Sequence, residues 1–218
     1  YACDGLLKQR LDVPYIRENG KLQKTSWKEA QNILINKLKS FKSDEIAGMV
    51  GGLADLEMIY SFKSFFEKCL NSKNLECRED RIYINNNERM NYIFNTSIKG
   101  IEESDLILLV GTNPRLEATI LNTRIRKAYV KNKVKIYSIG NPGDLTYPYQ
   151  NIGSSTSIIE EIALSRHEIS TKIKKSKKPM IIIGESALYG KTGQYVFESL
   201  KNFLLNNNFI RKDWNSLN

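Results

Sequence analysis

The chain has 218 residues, enough for one large domain or two small ones, and its 41% hydrophobic and 26% charged residues are an ordinary soluble balance. No apolar run approaches the ~20 residues of a membrane span, and no apolar leader-like run opens the sequence. The net charge of +9, from 33 basic and 24 acidic side chains, points to an acidic protein face, a nucleic acid or an anionic membrane as partner, or to a lysine-rich solvated surface. The first residue, Tyr1, is expected of a processed chain or of a piece of a longer one. Three cysteines, Cys3, Cys69 and Cys77, show no paired spacing. A disulfide framework, a zinc site and a chain-borne iron–sulfur cluster are therefore not expected, and a reducing compartment fits.

Taken in order, residues 1–24 read as an irregular entry segment, with Pro14 and a turn at Glu18-Asn19-Gly20. Residues 25–218 read as one α/β domain. Ser26-Trp27-Lys28-Glu29 has the form of a capping box, and Trp27, Ala30, Leu34, Leu38 and Phe41 follow at helical spacing. A short strand over 45–50 ends in Gly51-Gly52. Met58, Ile59, Phe62, Phe65, Phe66, Cys69 and Leu70 then form one apolar helical stripe. Residues 71–90 are polar, with a brief strand at 75–77, and 92–98 is ambiguous.

The run Leu106-Ile107-Leu108-Leu109-Val110 is apolar at every position. A strand of that kind is covered on both faces, as in the middle of a parallel sheet. It turns at Gly111-Thr112-Asn113-Pro114 into a basic helix over 116–130. Strands over 133–139 and 179–183, and helices over 157–164 and 194–205, complete an alternating pattern. The pattern predicts right-handed crossovers and a mostly parallel Rossmann-like sheet flanked by helices. The lysine run 172–178 reads as a solvated helix end or linker.

Three predicted strands end in glycine, at Gly51-Gly52, Gly111 and Gly184. Such loops either let backbone approach a phosphate at a helix N-terminus or simply make tight turns. None matches a Walker or Gly-x-Gly-x-x-Gly pattern. Arg115, Arg124, Arg126 and Lys127, with Lys131, Lys133 and Lys135, cluster on or beside one helix, which suits a bound anion, a partner face or solvent. No aromatics interleave them to form a nucleic-acid groove. His167, the only histidine, has no metal or triad companion and reads as an exposed loop residue. Cys77 reads as a small apolar core residue, or as a lone metal thiolate. The residues show no catalytic machinery.

Several motifs carry a family resemblance. Asp4-Gly5-Leu6, Lys8-Gln9-Arg10-Leu11, Pro14-Tyr15-Ile16-Arg17 and Thr25 to Ala30 resemble the entry to the molybdopterin-oxidoreductase-like region. Residues 104–118 are similar to its middle strand and loop. Asn122-Thr123-Arg124-Ile125-Arg126-Lys127, Asp144-Leu145-Thr146-Tyr147, Lys177-Lys178-Pro179-Met180 and Gly184-Glu185-Ser186-Ala187-Leu188 are similar to one branch, the large iron–sulfur subunit of respiratory complex I.

The resemblance implies a molybdopterin-type fold that has lost metal and pterin, with Gly51, Gly52, Gly111, Asn113 and Gly184 as vestigial loops. It implies no catalytic, cofactor or metal residue in this chain. The iron–sulfur clusters belong to a cluster-bearing N-terminal portion or to neighbouring subunits. The implied role is a scaffold in the peripheral arm, beside NADH-oxidising subunits. Arg115, Arg124, Arg126 and Lys127 are the partner-facing candidates. The implied place is the matrix side of the mitochondrial inner membrane, or the cytoplasmic face of a bacterial one. The alternatives are a fragment of an active molybdopterin enzyme and a basic nucleic-acid binder.

Overall fold

A computed structural model describes residues 2–8, 10–77 and 82–218. The chain forms two compact units, Tyr1–Glu79 and Asp80–Asn218.

In the first unit the entry segment is more regular than its composition suggests. Helix α1 (Ala2–Lys8) precedes a hairpin of β1 (Tyr15–Glu18) and β2 (Lys21–Lys24). The turn is the expected one. Asn19 and Gly20 both sit at positive φ, the geometry whose twist matches a two-residue hairpin. Helix α2 (Trp27–Lys39) is capped by Ser26, whose Oγ accepts from Glu29 N at 3.2 Å. The Glu29 carboxylate takes the Thr25 hydroxyl, so the returning half of the capping box does not form.

Strand β3 (Gly48–Met49) and helix α3 (Leu56–Phe65) follow. The helix runs on through a π turn, Phe66–Leu70, ended by Asn71 in the left-handed region. Strand β4 (Leu75–Glu76) then lies parallel to β3. The apolar stripes of this unit are mostly uncovered. Helix α2 buries no residue; Trp27 is 67% exposed and Leu34 56%. Among the unit's described residues Ile46 and Phe66 are the buried apolar side chains, and Ser72 donates to Ile46 O at 2.7 Å beside them. Cys77 is exposed, as are Cys3 and Cys69, which corrects the core placement. Leu75 and Glu76 form an edge strand too short to cover it.

The second unit is a parallel sheet. Helix α4 (Ser97–Gly100) leads to β5 (Leu106–Val110), buried at all five positions. The basic helix is two pieces, α5 (Pro114–Glu117) and α6 (Thr119–Asn132), broken at Ala118. Then come β6 (Lys135–Ile139), the short β7 (Gln150–Asn151), α7 (Ser157–Ala163) and α8 (Glu168–Lys175). Strand β8 (Pro179–Ile183), α9 (Glu185–Leu188) and α10 (Thr192–Asn206) complete it. The order is β7-β6-β5-β8, all parallel.

Alternate residues of each strand point to opposite faces, and both faces are covered. Leu106, Leu108, Val110, Tyr137, Ile139 and Ile181 pack with α7, α8 and α10. Ile107, Leu109, Ile136, Met180 and Ile182 pack with Ile125, Ala128, Leu145 and Trp214. Each such apolar side chain contributes about 1.5–3 kcal/mol by leaving water. Residues 216–218 run beside β8: Ile181 N donates to Ser216 O at 2.8 Å and Ile183 N to Asn218 O at 2.8 Å.

One expectation is extended here and one changes. The lysine run 172–178 begins as the end of helix α8, as the first of its two readings had it; the helix starts earlier, at Glu168, and buries Ile169, Ser170 and Ile173. Its N-cap is His167, whose Nδ1 accepts from Ile169 N at 3.1 Å, so the histidine is a half-buried cap rather than an exposed loop residue.

Candidate functional site at the carboxyl edge of the sheet

Strand β5 has β6 on one side and β8 on the other, so the chain reverses its winding between β5 and β8. Open α/β sheets bind ligands in the crevice at that point, beyond the carboxyl ends of the strands. Gly111 and Gly184 end the two strands there, and Gly140 ends β6.

The crevice is closed by contact. Gly184 N donates to Val110 O at 2.9 Å, and Gly111 N to Ile139 O at 3.0 Å. A Cβ on Gly184 would stand 2.4 Å from Thr112 Cβ and 2.5 Å from Gly111 O. A Cβ on Gly111, at φ +55, would stand 2.6 Å from Ala187. Ser186 Oγ adds a bond to Gly111 O at 2.5 Å. Glycine at 111 and 184 serves the mutual approach of two loops of the same chain.

The donors a phosphate would use are also taken. Asn113 Oδ1 accepts from Arg115 N at 3.1 Å and Leu116 N at 3.2 Å. Glu117 Oε1 accepts from Asn113 N at 3.0 Å, and its Oε2 from Thr112 Oγ1 at 2.7 Å. A carboxylate supplied by the chain thus fills the anionic position in the loop. Asn113 Nδ2 reaches across to Pro142 O at 2.7 Å.

What remains open is a cleft of about 190 Å³ lined by Gly111, Gly140, Ser154, Ser155, Thr156 and Ser186 among others, with no ionisable side chain. Pockets for small organic ligands usually run from about 300 to 1,000 Å³. Among the described residues no group of three or more His, Cys, Asp or Glu side chains could hold a metal. The occupied loop donors and the small remaining space at this edge do not fit a pterin.

Gly51 and Gly52 belong to the first unit, where a Cβ on either would meet nothing within 4 Å. They are turn glycines on a surface.

Three of the four basic candidates are engaged inside the chain. Arg115 Nη1 meets Asp144 Oδ2 at 2.6 Å and Asp144 O at 3.0 Å. The Thr146 backbone N–H and then the Arg115 guanidinium hold the Asp144 carboxyl below its usual range. Arg124 and Lys127 both bond Glu102, Lys127 at 2.8 Å. Those bonds, Lys127 first, lower the Glu102 pKa against the opposing effect of burial. Arg126 is exposed. The sequence reading missed the carboxylates Glu102, Glu117 and Asp144. The available signal was Glu117, an acidic residue in the first turn after an Asn-Pro start.

The molybdopterin oxidoreductase family profile matches residues 10–218, and the chain belongs to that family. Within the family it is similar along its whole length to subunits of respiratory NADH dehydrogenases. It is 40% identical to the NADH-ubiquinone oxidoreductase 75 kDa subunit of Reclinomonas americana, over all of this chain and 33% of that protein. It is 38% identical to the G subunit of the NADH-quinone oxidoreductase of Rickettsia bellii, and 39% to that of Rickettsia prowazekii, over all of this chain and 32% of each. The chain thus spans about a third of the length of the curated relatives it matches. Among the described residues no helix is long and apolar enough to cross a membrane.

Proposed function

We propose that this chain is a structural part of the peripheral arm of respiratory complex I, supporting electron transfer from NADH to quinone without holding a redox centre itself. The relatives at 38–40% identity are subunits of that enzyme by name. The observation that carries the scaffold reading is the filled carboxyl edge. Gly111, Gly184 and Ala187 touch, and Asn113 and Glu117 occupy the loop donors. A fold whose ligand crevice is consumed by its own side chains keeps the shape and loses the chemistry.

The first unit supports assembly. Its uncovered apolar helices are the kind of surface a partner polypeptide buries. The partners are the cluster-bearing portion found in this type of subunit and the NADH-oxidising subunits. The location is the matrix side of the mitochondrial inner membrane, or the cytoplasmic face in a bacterium.

Metal analysis of the assembly purified through this chain tests the reading. Molybdenum at trace level alongside cluster iron is expected, and stoichiometric molybdenum overturns it. Gly111→Val should lower the amount of assembled complex and leave cluster potentials in the assembled fraction unchanged.

A further inference from the structure

The opposite edge of the sheet has a different character. At the amino ends of the strands, β6 begins at Lys135 just after Lys131 and Lys133, and helix α8 brings Lys172 and Lys175 to the same edge. The carboxylates there are already engaged: Glu102 with Arg124 and Lys127, Glu103 with Lys178, and Glu168 with Lys172. Asp105 accepts from the backbone N–H groups of Lys177 and Lys178. Among the described residues no carboxylate lies within ion-pair distance of Lys131, Lys133, Lys135 or Lys175.

Of the lysines at this edge, Lys133, Lys135 and Lys172 line a groove of about 470 Å³, together with Tyr137, Tyr149 and Gln150 among others. Strand β7 covers β6 only at Tyr137 and Ser138, so Lys135 and Ile136 have no strand beside them on that side. Among the described residues the outer side of β7 also has no strand partner.

We propose that this groove is a docking site for an extended acidic segment of a partner polypeptide, laid along the β6–β7 edge with its carboxylates against Lys133 and Lys135. Backbone pairing at a free edge supplies affinity and alternate side chains supply selectivity. Two features favour a peptide over a nucleic acid. The ring faces of Tyr129 and Tyr137 already carry lysines, Lys133 Nζ 5.6 Å and Lys172 Nζ 5.2 Å from the centroids. Tyr137 is moreover only 5% exposed, and Tyr149 is half-buried against the core of the sheet, so neither presents an open face for base stacking.

The inference rests on the scaffold reading for the source of such a segment. Its test uses the chain without any assembly, so failure here and stoichiometric molybdenum there are separate results. The whole chain is titrated into a labelled peptide of alternating Glu and Thr, with fluorescence anisotropy as readout. Its Gln/Thr counterpart, an oligothymidylate of similar length and phosphatidylserine vesicles serve as comparisons. The acidic peptide should bind tightest and weaken with added salt. Lys133→Glu/Lys135→Glu should weaken it by about tenfold or more. Lys28→Glu/Lys39→Glu, the same charge change on exposed positions of α2, should change it less than about twofold. Equal weakening by both pairs, tighter binding of the oligothymidylate or vesicles, or no peptide binding at low salt overturns the proposal.

Discussion

Alanine at three glycines of the carboxyl edge separates backbone strain from lack of space. At Gly140, φ is +99 and the nearest atoms to a new Cβ lie 3.8 Å away, ordinary contact. Gly140→Ala therefore meets only the left-handed penalty, about 1–2 kcal/mol. At Gly184, φ is −89, which any residue adopts, but the Cβ would stand 2.4 Å from Thr112 Cβ. Gly184→Ala meets only overlap, about 1–3 kcal/mol. Gly111 combines φ +55 with 2.6 Å to Ala187, so Gly111→Ala should cost about 2–5 kcal/mol, the sum of both effects. At about 2–4 °C per kcal/mol, its melting midpoint should fall by about 4–20 °C. The assay is thermal unfolding followed by Trp214, buried in the second unit, in a Trp27→Phe background. The Gly111→Ala/Gly184→Ala double variant should cost less than the two singles together, because the first overlap already parts the loops the second would part. Equal midpoints for Gly111→Ala and Gly140→Ala, or strict additivity in the double variant, would refute the contact argument.

Tyr147→Phe removes the hydroxyl that donates to buried Asn122 Oδ1 at 2.7 Å and should cost about 1–3 kcal/mol in denaturant titration. Glu117→Ala uncaps Asn113 N and Thr112 Oγ1 and should cost about 1 kcal/mol, while phosphate added afterwards should restore little by the same measurement, since Asn113 still caps the helix. Stability should also fall in acid. Burial raises the Asp105 pKa, but bonds from Ser176 and from the Lys177 and Lys178 backbone outweigh it and set the folded value low. A lowered folded pKa contributes stability present above the unfolded value, near pH 4, and lost as pH drops below it. Asp105→Asn should be less stable than the parent at pH 7 and lose less between pH 5 and pH 3, read from chemical unfolding at each pH.

The second unit was largely legible because its signals were redundant. An all-apolar β5 could only be a strand covered on both faces, and Asn19-Gly20 in the first unit could only be a turn. Helix α8 hid behind its lysines because charge dominated the composition while Ile169 and Ile173, four residues apart, carried the burial. The break at Ala118 was masked by a continuous helix-forming run on both sides. The glycine loops were visible as loops, but glycine that admits a ligand and glycine that admits another loop are the same letter. Only the 2.4 Å approach at Gly184 separates them. The basic helix misled in a similar way, because the carboxylates that engage Arg115, Arg124 and Lys127 lie more than twenty positions away in sequence. No period or motif couples them.

The pairing of residues 216–218 with β8 bears on synthesis order. A nascent chain that has delivered everything through α10 already holds the central strands, yet one flank of β8 still shows open backbone donors and acceptors. Exposed edges of that kind recruit other chains. Until Leu217 emerges that flank stays open to other chains, and a ribosome stall just upstream would prolong the exposure.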